Sequence, residues 1–224
     1  MSRTKLAANA LTKYVAGAVL MGAPLFLSAG TLHYRGAWLL LGLLMIPMLI
    51  LGVGLLIFSP ELLERRLKSK EKREKQSGVV RLSGLSFIVG FVVAGLDHRY
   101  GWSTMANGVV IGSSALLLLS YLGYMEVMRE NVWLSRTIEV SDNQKVIDTG
   151  LYSVVRHPMY LFTLLLFLSM PFILGSWWAL IPFAINIPVI VIRTLDEERL
   201  LKAELEGYTD YCNRVKWRIL PFVW

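Results

Sequence analysis

The amino-acid sequence predicts an all-α protein that is integral to a membrane: a helical bundle of about six transmembrane helices with an ordered polar cap. Of the 224 residues, 55% are hydrophobic and 17% are charged, whereas a soluble domain of this length would carry more charge. Several apolar runs approach or exceed the ~20 residues that an α-helix needs to cross a bilayer. Because no repeat or linker divides the chain, we expect a single domain over residues 1–224.

Six apolar segments are the predicted spans, at residues 14–29, 36–58, 79–96, 104–127, 160–174 and 177–192. The last two form one apolar stretch that Gly175 and Ser176 interrupt, which predicts a tight turn and a helical hairpin. Pro171, Pro182 and Pro188 predict kinks in the two helices of this hairpin. Membrane helices tolerate such kinks where neighbouring groups satisfy the freed carbonyls.

The basic residues predict the orientation of these spans. With a cytoplasmic N-terminus, six spans return the C-terminus to the cytoplasm and place all but two of the 23 Lys and Arg there, Arg35 and Arg99 being the exceptions. Cytoplasmic loops of membrane proteins carry this excess of cations. The asymmetry therefore explains the net charge of +7 without a nucleic-acid partner.

The cysteine and histidine content argues against a metal site. Cys212 is the single cysteine, so neither an internal disulfide nor a multi-cysteine metal site is possible. His33, His98 and His157 each lie beside a different apolar segment. We therefore expect no bound metal.

Two polar segments on the predicted cytoplasmic side differ in character. Residues 60–78, "PELLERRLKSKEKREKQSG", are highly charged and are typical of a solvated loop that sets topology, with attraction to anionic headgroups as a secondary effect. Residues 129–157 are long for a connection, and loops of this length are usually functional or disordered. Since this second segment carries apolar residues that need burial, we expect an ordered cap.

The end of this cap carries a dense group of polar residues, in "LYSVVRHPMYLF". Tyr152 and Tyr160 are compatible with an interfacial aromatic belt and Arg156 with a topogenic cation. His157 before Pro158 is compatible with a structural histidine at a helix start. Their concentration in nine positions equally favours a site at the membrane edge.

A second group follows the last span, in "VIRTLDEERLLKAELEGYTDY". Arg193 and Glu197 are four residues apart and share one face of a helix. An ordinary surface ion pair is one interpretation. However, the acid lies C-terminal to the base, which is the less favourable order, and acidic residues at the lipid edge indicate a cationic partner.

Together the two motifs, "GLYSVVRHPMY" and "RTLDEERLL" with a hairpin between them, resemble the isoprenylcysteine carboxyl methyltransferase family. This family is related to the phospholipid N-methyltransferases, within a wider group of membrane methyltransferases. The resemblance covers about residues 145–221, so that residues 1–128 form four N-terminal spans and residues 129–224 the methyltransferase core. One departure is Phe162, where many members have glycine; a ring there is expected to reshape the pocket wall.

The resemblance implies that S-adenosyl-L-methionine binds in a cytoplasmic pocket and that a lipid substrate reaches it between helices. By this resemblance Arg193 is the catalytic residue, placed towards the substrate carboxylate, and Glu197 is the acid that binds the cofactor. The other implied cofactor contacts are Val146, Ile147, Tyr152, His157, Pro158 and Tyr160.

The residues favour a carboxylate acceptor, such as a prenylated cysteine, because a carboxylate is already nucleophilic and needs a cation but no general base. A phospholipid amine is the alternative acceptor and would need a base. A nicotinamide-dependent sterol reductase would need a phosphate-binding loop that the C-terminal half lacks. A lipid carrier would carry charge at mid-membrane, whereas the polar residues of this chain gather at the cytoplasmic edge.

Overall fold

The structure, a computed structural model, describes residues 3–67, 74–134, 138, 140 and 143–224, with the side chains of residues 74–76 excluded. Within these ranges the chain is all-helical, as predicted, and contains no β-strand. It forms nine α-helices and one 3₁₀ turn at Gly150–Ser153: α1 (Arg3–Ala29), α2 (Arg35–Phe58), α3 (Pro60–Leu67), α4 (Glu74–Tyr100), α5 (Asn107–Glu130), α6 (Pro158–Ile173), α7 (Leu180–Ala184), α8 (Asn186–Glu204) and α9 (Tyr208–Arg214).

Four helices are long and apolar enough to cross a membrane: α1, α2, α5 and the Ser77–Tyr100 part of α4. They correspond to the first four predicted spans. α1 and α4 continue well beyond the apolar runs from which they were predicted, α2 matches its run to within one residue, and α5 begins and ends three residues later than predicted. The first part of the predicted charged loop forms α3. Residues 68–73 of this loop lie outside the described residues.

The predicted hairpin is present. Its first helix, α6, is a shorter apolar helix of 16 residues, about 24 Å long at 1.5 Å per residue. It ends at a turn in which Gly175 has φ 77°, a left-handed conformation that favours glycine. The Ser176 amide donates to the Pro171 carbonyl at 2.9 Å, which closes the turn.

The last apolar stretch differs from the single helix that was predicted for residues 177–192. It is divided into α7 and α8, and α8 continues well beyond Ile192 to Glu204. Prolines within this stretch lack the amide hydrogen that a continuous helix requires. Asn186 lies at the junction, fully buried. Ser83 of α4 donates to its Oδ1 at 2.6 Å, and its Nδ2 donates to Ser86 at 3.0 Å.

Close packing between α4, α6 and α7 forms much of the core, where the phenylalanine rings meet edge to face. The ring centroids of Phe87 and Phe183 are 5.4 Å apart with an interplanar angle of 82°. A methyl group on Gly90 would lie 2.6 Å from the Phe183 ring, so a glycine is needed for this close approach. The rest of the bundle is built on the α1–α4 and α5–α6 pairs, which make the most extensive helix contacts.

The pocket described below, α3 and the beginning of α1 all lie at one end of this bundle. The Lys13 side chain of α1 donates to the Leu67 carbonyl at the end of α3, and Arg66 of α3 contacts Met159 of α6. The C-terminal Trp224 contacts the cluster formed by Tyr160, Ile190 and Ile219. Both described chain ends are therefore on the same side of the bundle.

Candidate functional site

The predicted site residues meet around a single pocket. It encloses about 820 Å³, counting the space that opens to solvent at its mouth. The walls come from the segment that follows α5, the cap, the start of α6, the second half of α8 and α9. Seven of the eight residues predicted from the sequence line it: Val146, Ile147, Tyr152, His157, Tyr160, Arg193 and Glu197.

Pro158 is the exception, because it is buried outside the lining and begins α6. Proline is well suited to the first helical position, where its missing N–H would have no helical partner. The residue before it, His157, is the helix N-cap residue. Pro158 therefore positions the pocket residues on either side of it.

Glu197 is the partly accessible acid of the pocket. The Tyr160 hydroxyl donates to its Oε2 at 2.5 Å, and its Oε1 lies 4.0 Å from Nδ1 of His157. The side chain is 26% exposed, so it faces the open part of the cavity. This arrangement joins the two sequence motifs, since Tyr160 and His157 come from one and Glu197 from the other.

The next residue, Glu198, belongs to a buried ion cluster that the sequence did not reveal. Arg156 Nε lies 2.6 Å from Glu198 Oε1, Arg218 Nε lies 3.0 Å from Oε2, and His157 Nε2 is 3.5 Å away. Burial acts to raise the pKa of Glu198, but the contacts with His157, Arg156 and Arg218 outweigh burial and hold that pKa well below its usual value. Glu198 is therefore a structural anion.

Arg156 is not a surface cation that sets topology, which was one interpretation of its position in the sequence. It is buried and its Nη1 donates to the carbonyls of Val215 and Lys216 at 2.7 and 3.1 Å. Its own amide donates to the Trp217 carbonyl at 2.9 Å, and the His157 amide donates to Arg218 at 2.8 Å. The C-terminal segment thus fixes the backbone at the pocket.

Two buried polar atoms in the pocket have no hydrogen-bond partner within the described part of the chain: the Tyr208 hydroxyl, and Nε2 of His157, which makes a longer ionic contact with Glu198 Oε1 at 3.5 Å. Burial, followed by the charges of Glu198 and Glu197, raises the pKa of Tyr208, so its hydroxyl remains a donor. Buried polar groups normally have partners. Two such atoms in one pocket fit a polar ligand, and Tyr208 was not predicted as a site residue.

Hydrogen bonds from helices order the described part of the cap. The Tyr211 hydroxyl of α9 donates to the Tyr152 carbonyl at 2.7 Å, and Asn131 donates to the Tyr152 hydroxyl at 3.0 Å. Arg214 pairs with Asp148 at 2.7 Å. Residues 135–137, 139, 141 and 142 of the predicted cap lie outside the described residues.

Phe162 does not form part of the pocket lining, so the expectation that its ring reshapes the pocket wall is wrong. The ring faces α5, where a methyl group placed on Gly123 would lie only 2.2 Å from it. Gly123 therefore provides the space that Phe162 occupies. The bulky ring of Phe162 fits at this position because the residue that faces it on α5 is a glycine, Gly123.

The described residues thus form a helical bundle, with four helices long and apolar enough to cross a membrane and a pocket with polar lining residues at one end. Residues 103–205 match the family model described as Phospholipid methyltransferase. This match confirms the resemblance to membrane methyltransferases, which implies S-adenosylmethionine as methyl donor and a lipid acceptor. No curated protein matches the sequence.

The matched region runs from the beginning of α5 to the end of α8 and contains all eight predicted site residues. Tyr208 and Arg218, which complete the pocket and its ion cluster, lie beyond it. No group of three or more His, Cys, Asp or Glu side chains arranged to hold a metal occurs in the described ranges.

Proposed function

We propose that this protein transfers a methyl group from S-adenosylmethionine to a lipid-linked carboxylate, such as that of a prenylated cysteine, at the membrane surface. The observation that carries the proposal is the assembly of both sequence motifs around one pocket. Residues that are about 50 positions apart in the chain, such as Val146 and Glu197, line the same cavity. The family match supports methyl transfer to a lipid, and the carboxylate is our choice of acceptor.

The pocket residues suit the polar groups of this cofactor, which carries an ammonium, a sulfonium, a carboxylate and an adenosine. We assign the cationic or ribose groups to Glu197, whose carboxylate is the accessible acid of the pocket. The two atoms without a hydrogen-bond partner among the described residues, on His157 and Tyr208, are assigned to the cofactor's carboxylate or adenine edge. Val146, Ile147 and neighbouring leucines supply apolar contacts. Pro158 acts through the start of α6.

Arg193 is assigned to the acceptor. It lines the pocket one helical turn before Glu197, close to the apolar part of α8, where the head of a lipid would lie. Its guanidinium is a planar donor that matches a carboxylate. The acceptor oxygen forms the new O–CH₃ bond while the methyl–sulfur bond breaks and its electron pair stays on sulfur. The opposite charges cancel, so no proton has to move.

A phospholipid amine is the second candidate acceptor, favoured by the description of the matching family model. In this case the nitrogen forms the N–CH₃ bond, the methyl–sulfur bond breaks towards sulfur, and one N–H proton must leave. Glu197 is the candidate base, because it is accessible and bonded to Tyr160.

An acceptor panel tests the function. Purified protein is incubated with labelled S-adenosylmethionine and either a farnesylated cysteine analogue or phosphatidylethanolamine. Calorimetry with S-adenosylhomocysteine tests the site separately: His157→Ala and Glu197→Gln should each weaken binding in a folded protein. If both variants retain wild-type affinity, the cofactor assignment is wrong. If no acceptor is methylated, the enzymatic proposal is wrong.

A further inference from the structure

The short helix α3 directs arginine side chains towards the rim of the pocket. Leu62 and Leu63 are buried against the bundle, and Arg66 follows them by four and three positions, so it shares their inward face. Only Ser59 separates α3 from α2, which is long enough to cross the membrane. The helix therefore lies at the level where lipid headgroups meet water.

Arg66 contacts the edge of the pocket directly. Its Nη2 donates to the Tyr124 hydroxyl at 2.5 Å, and its Nη1 lies 3.5 Å from Sδ of Met159, which is a lining residue. Its charge reaches further inward. Burial raises the pKa of Tyr152, and the charge of Arg66 acts in the opposite direction.

The neighbouring arginine strengthens this positive edge. Arg65 lies with its guanidinium carbon 5.1 Å above the ring centre of Trp133, and its Nη1 donates to the Val132 carbonyl at 3.0 Å. Trp133 also lines the pocket. Stacking on aromatic rings restricts both guanidinium groups, because Arg66 is likewise positioned over the ring of Tyr124, at 5.4 Å. Two restricted cations therefore flank the same side of the pocket.

The cofactor residues proposed above lie in the cap, at the start of α6, on α8 and on α9, and none of them lies on α3. A lipid whose chain remains in the bilayer must bring its polar head in from the membrane boundary, where α3 is found. A guanidinium in such a partly desolvated position binds phosphate and carboxylate oxygens with charge-assisted, often bidentate hydrogen bonds.

We propose that Arg66, supported by Arg65, binds an anionic group of the acceptor lipid at the pocket rim and so contributes to acceptor specificity. The anion is the phosphodiester of a phospholipid or the carboxylate of a lipid-linked acid, which share the same chemistry. This assignment rests on the proposed function. It adds a recognition site on α3, which lies outside the matched region.

The test is equilibrium binding of three labelled lipids to the purified full chain in neutral maltoside micelles. The lipids are phosphatidylethanolamine, a farnesylated cysteine analogue and sphingosine, an amine without an anionic group. Arg66→Gln should weaken binding of an anionic lipid by about tenfold. Arg66→Lys should weaken it by less, because lysine keeps the positive charge but lacks the planar, bidentate donor geometry of the guanidinium. Arg81→Gln, which removes an exposed cation on α4, is the matched control.

Sphingosine and S-adenosylhomocysteine should bind Arg66→Gln within about twofold of wild type. A loss confined to phosphatidylethanolamine identifies a phosphodiester site, and a loss confined to the cysteine analogue identifies a carboxylate site. Equal losses for all three lipids would make Arg66 a structural residue and overturn the proposal, as would unchanged binding of both anionic lipids. Absence of methyl transfer, with the anion-specific loss still present, would overturn only the proposed function.

Discussion

Two buried acids lie at opposite ends of the bundle, and their surroundings differ in kind. Asp97, at the end of α4, accepts hydrogen bonds from the Ser103 amide and hydroxyl, both at 2.7 Å, and from the Ser176 hydroxyl. Glu198, at the other end, is paired with Arg156 and Arg218 and lies next to the pocket. Neutral donors surround the first acid, and cations surround the second.

This difference shows that a buried acid can stabilise the packing of helices or can position residues next to a pocket. The Asp97 cluster links α4 to the hairpin turn, and its partners are short side chains that close the packing. The Glu198 cluster uses two arginines, of which Arg156 also donates to the C-terminal backbone. It lies beside the buried Tyr208 hydroxyl, which has no hydrogen-bond partner among the described residues. The Asp97 end has only a structural role, whereas the pocket end combines stabilising ion pairs with a buried hydroxyl that has no hydrogen-bond partner among the described residues, which is where a ligand is expected.

The largest effect is expected for the orientation of the two ends relative to the membrane, because each end lies on one side of it or the other. Reporter fusions after Ser59, Arg99 and Trp224 should read cytoplasmic, external and cytoplasmic, since the cations gather at the pocket end. An external signal at Trp224 would separate the pocket from the cytoplasmic cofactor and contradict the proposed function.

Removing the charge of Glu198 should cost more stability than removing that of Asp97. Glu198→Gln leaves Arg156 buried without its anion, and breaking a buried ion pair costs about 3–5 kcal/mol. Asp97→Asn keeps an acceptor for the serine donors and should cost about 1–3 kcal/mol. Thermal unfolding of both variants in the same detergent measures the difference. Equal costs would mean that the two clusters are energetically alike.

Low pH should lower the stability of the protein through protonation of Glu198. Because the pKa of folded Glu198 is lower than its usual value of 4.5, its contribution to stability is complete above about pH 5 and is lost progressively as the pH falls from there towards the folded-state pKa. Unfolding followed from pH 7 to pH 3 should show the first part of this loss in wild type. Glu198→Gln should show a smaller pH dependence, and an unchanged one would contradict the assignment.

Substitutions of Arg193 and Glu197 should distinguish acceptor binding from cofactor binding. Arg193→Ala should lower catalytic efficiency by about a hundredfold or more, since truncating an arginine paired with a desolvated carboxylate costs a few kcal/mol. It should bind S-adenosylhomocysteine within a few-fold of wild type, whereas Glu197→Gln should not. Parallel losses of cofactor affinity would mean that Arg193 only supports Glu197.

The smallest effects are expected for the hydroxyl groups of two tyrosines of α9. The Tyr211 hydroxyl has a partner, the Tyr152 carbonyl, and Tyr208 has none among the described residues. Tyr211→Phe should therefore lower stability by about 1 kcal/mol. Tyr208→Phe should leave stability nearly unchanged and weaken S-adenosylhomocysteine binding several-fold. If Tyr208→Phe binds like wild type in calorimetry, its hydroxyl has no role in the cofactor site.

The membrane architecture and most of the pocket residues could be predicted from local sequence. Long apolar runs form helices wherever the backbone must satisfy its own hydrogen bonds in lipid, and Gly175 marks the hairpin turn. Tyr152, His157 and Tyr160 lie close together in the chain, and Arg193 and Glu197 share a helical face. These are short-range properties, so residue types and spacing were sufficient to indicate them.

Tertiary structure alone decided which acid became structural and which remained accessible. Glu197 and Glu198 are adjacent and chemically identical, but rotation by one residue on α8 turns one side chain towards the cavity and the other towards Arg156 and Arg218. The C-terminal segment that supplies Arg218 pairs with the backbone near residue 156 across about 60 positions. No periodicity encodes such a contact, because it depends on how separate helices pack.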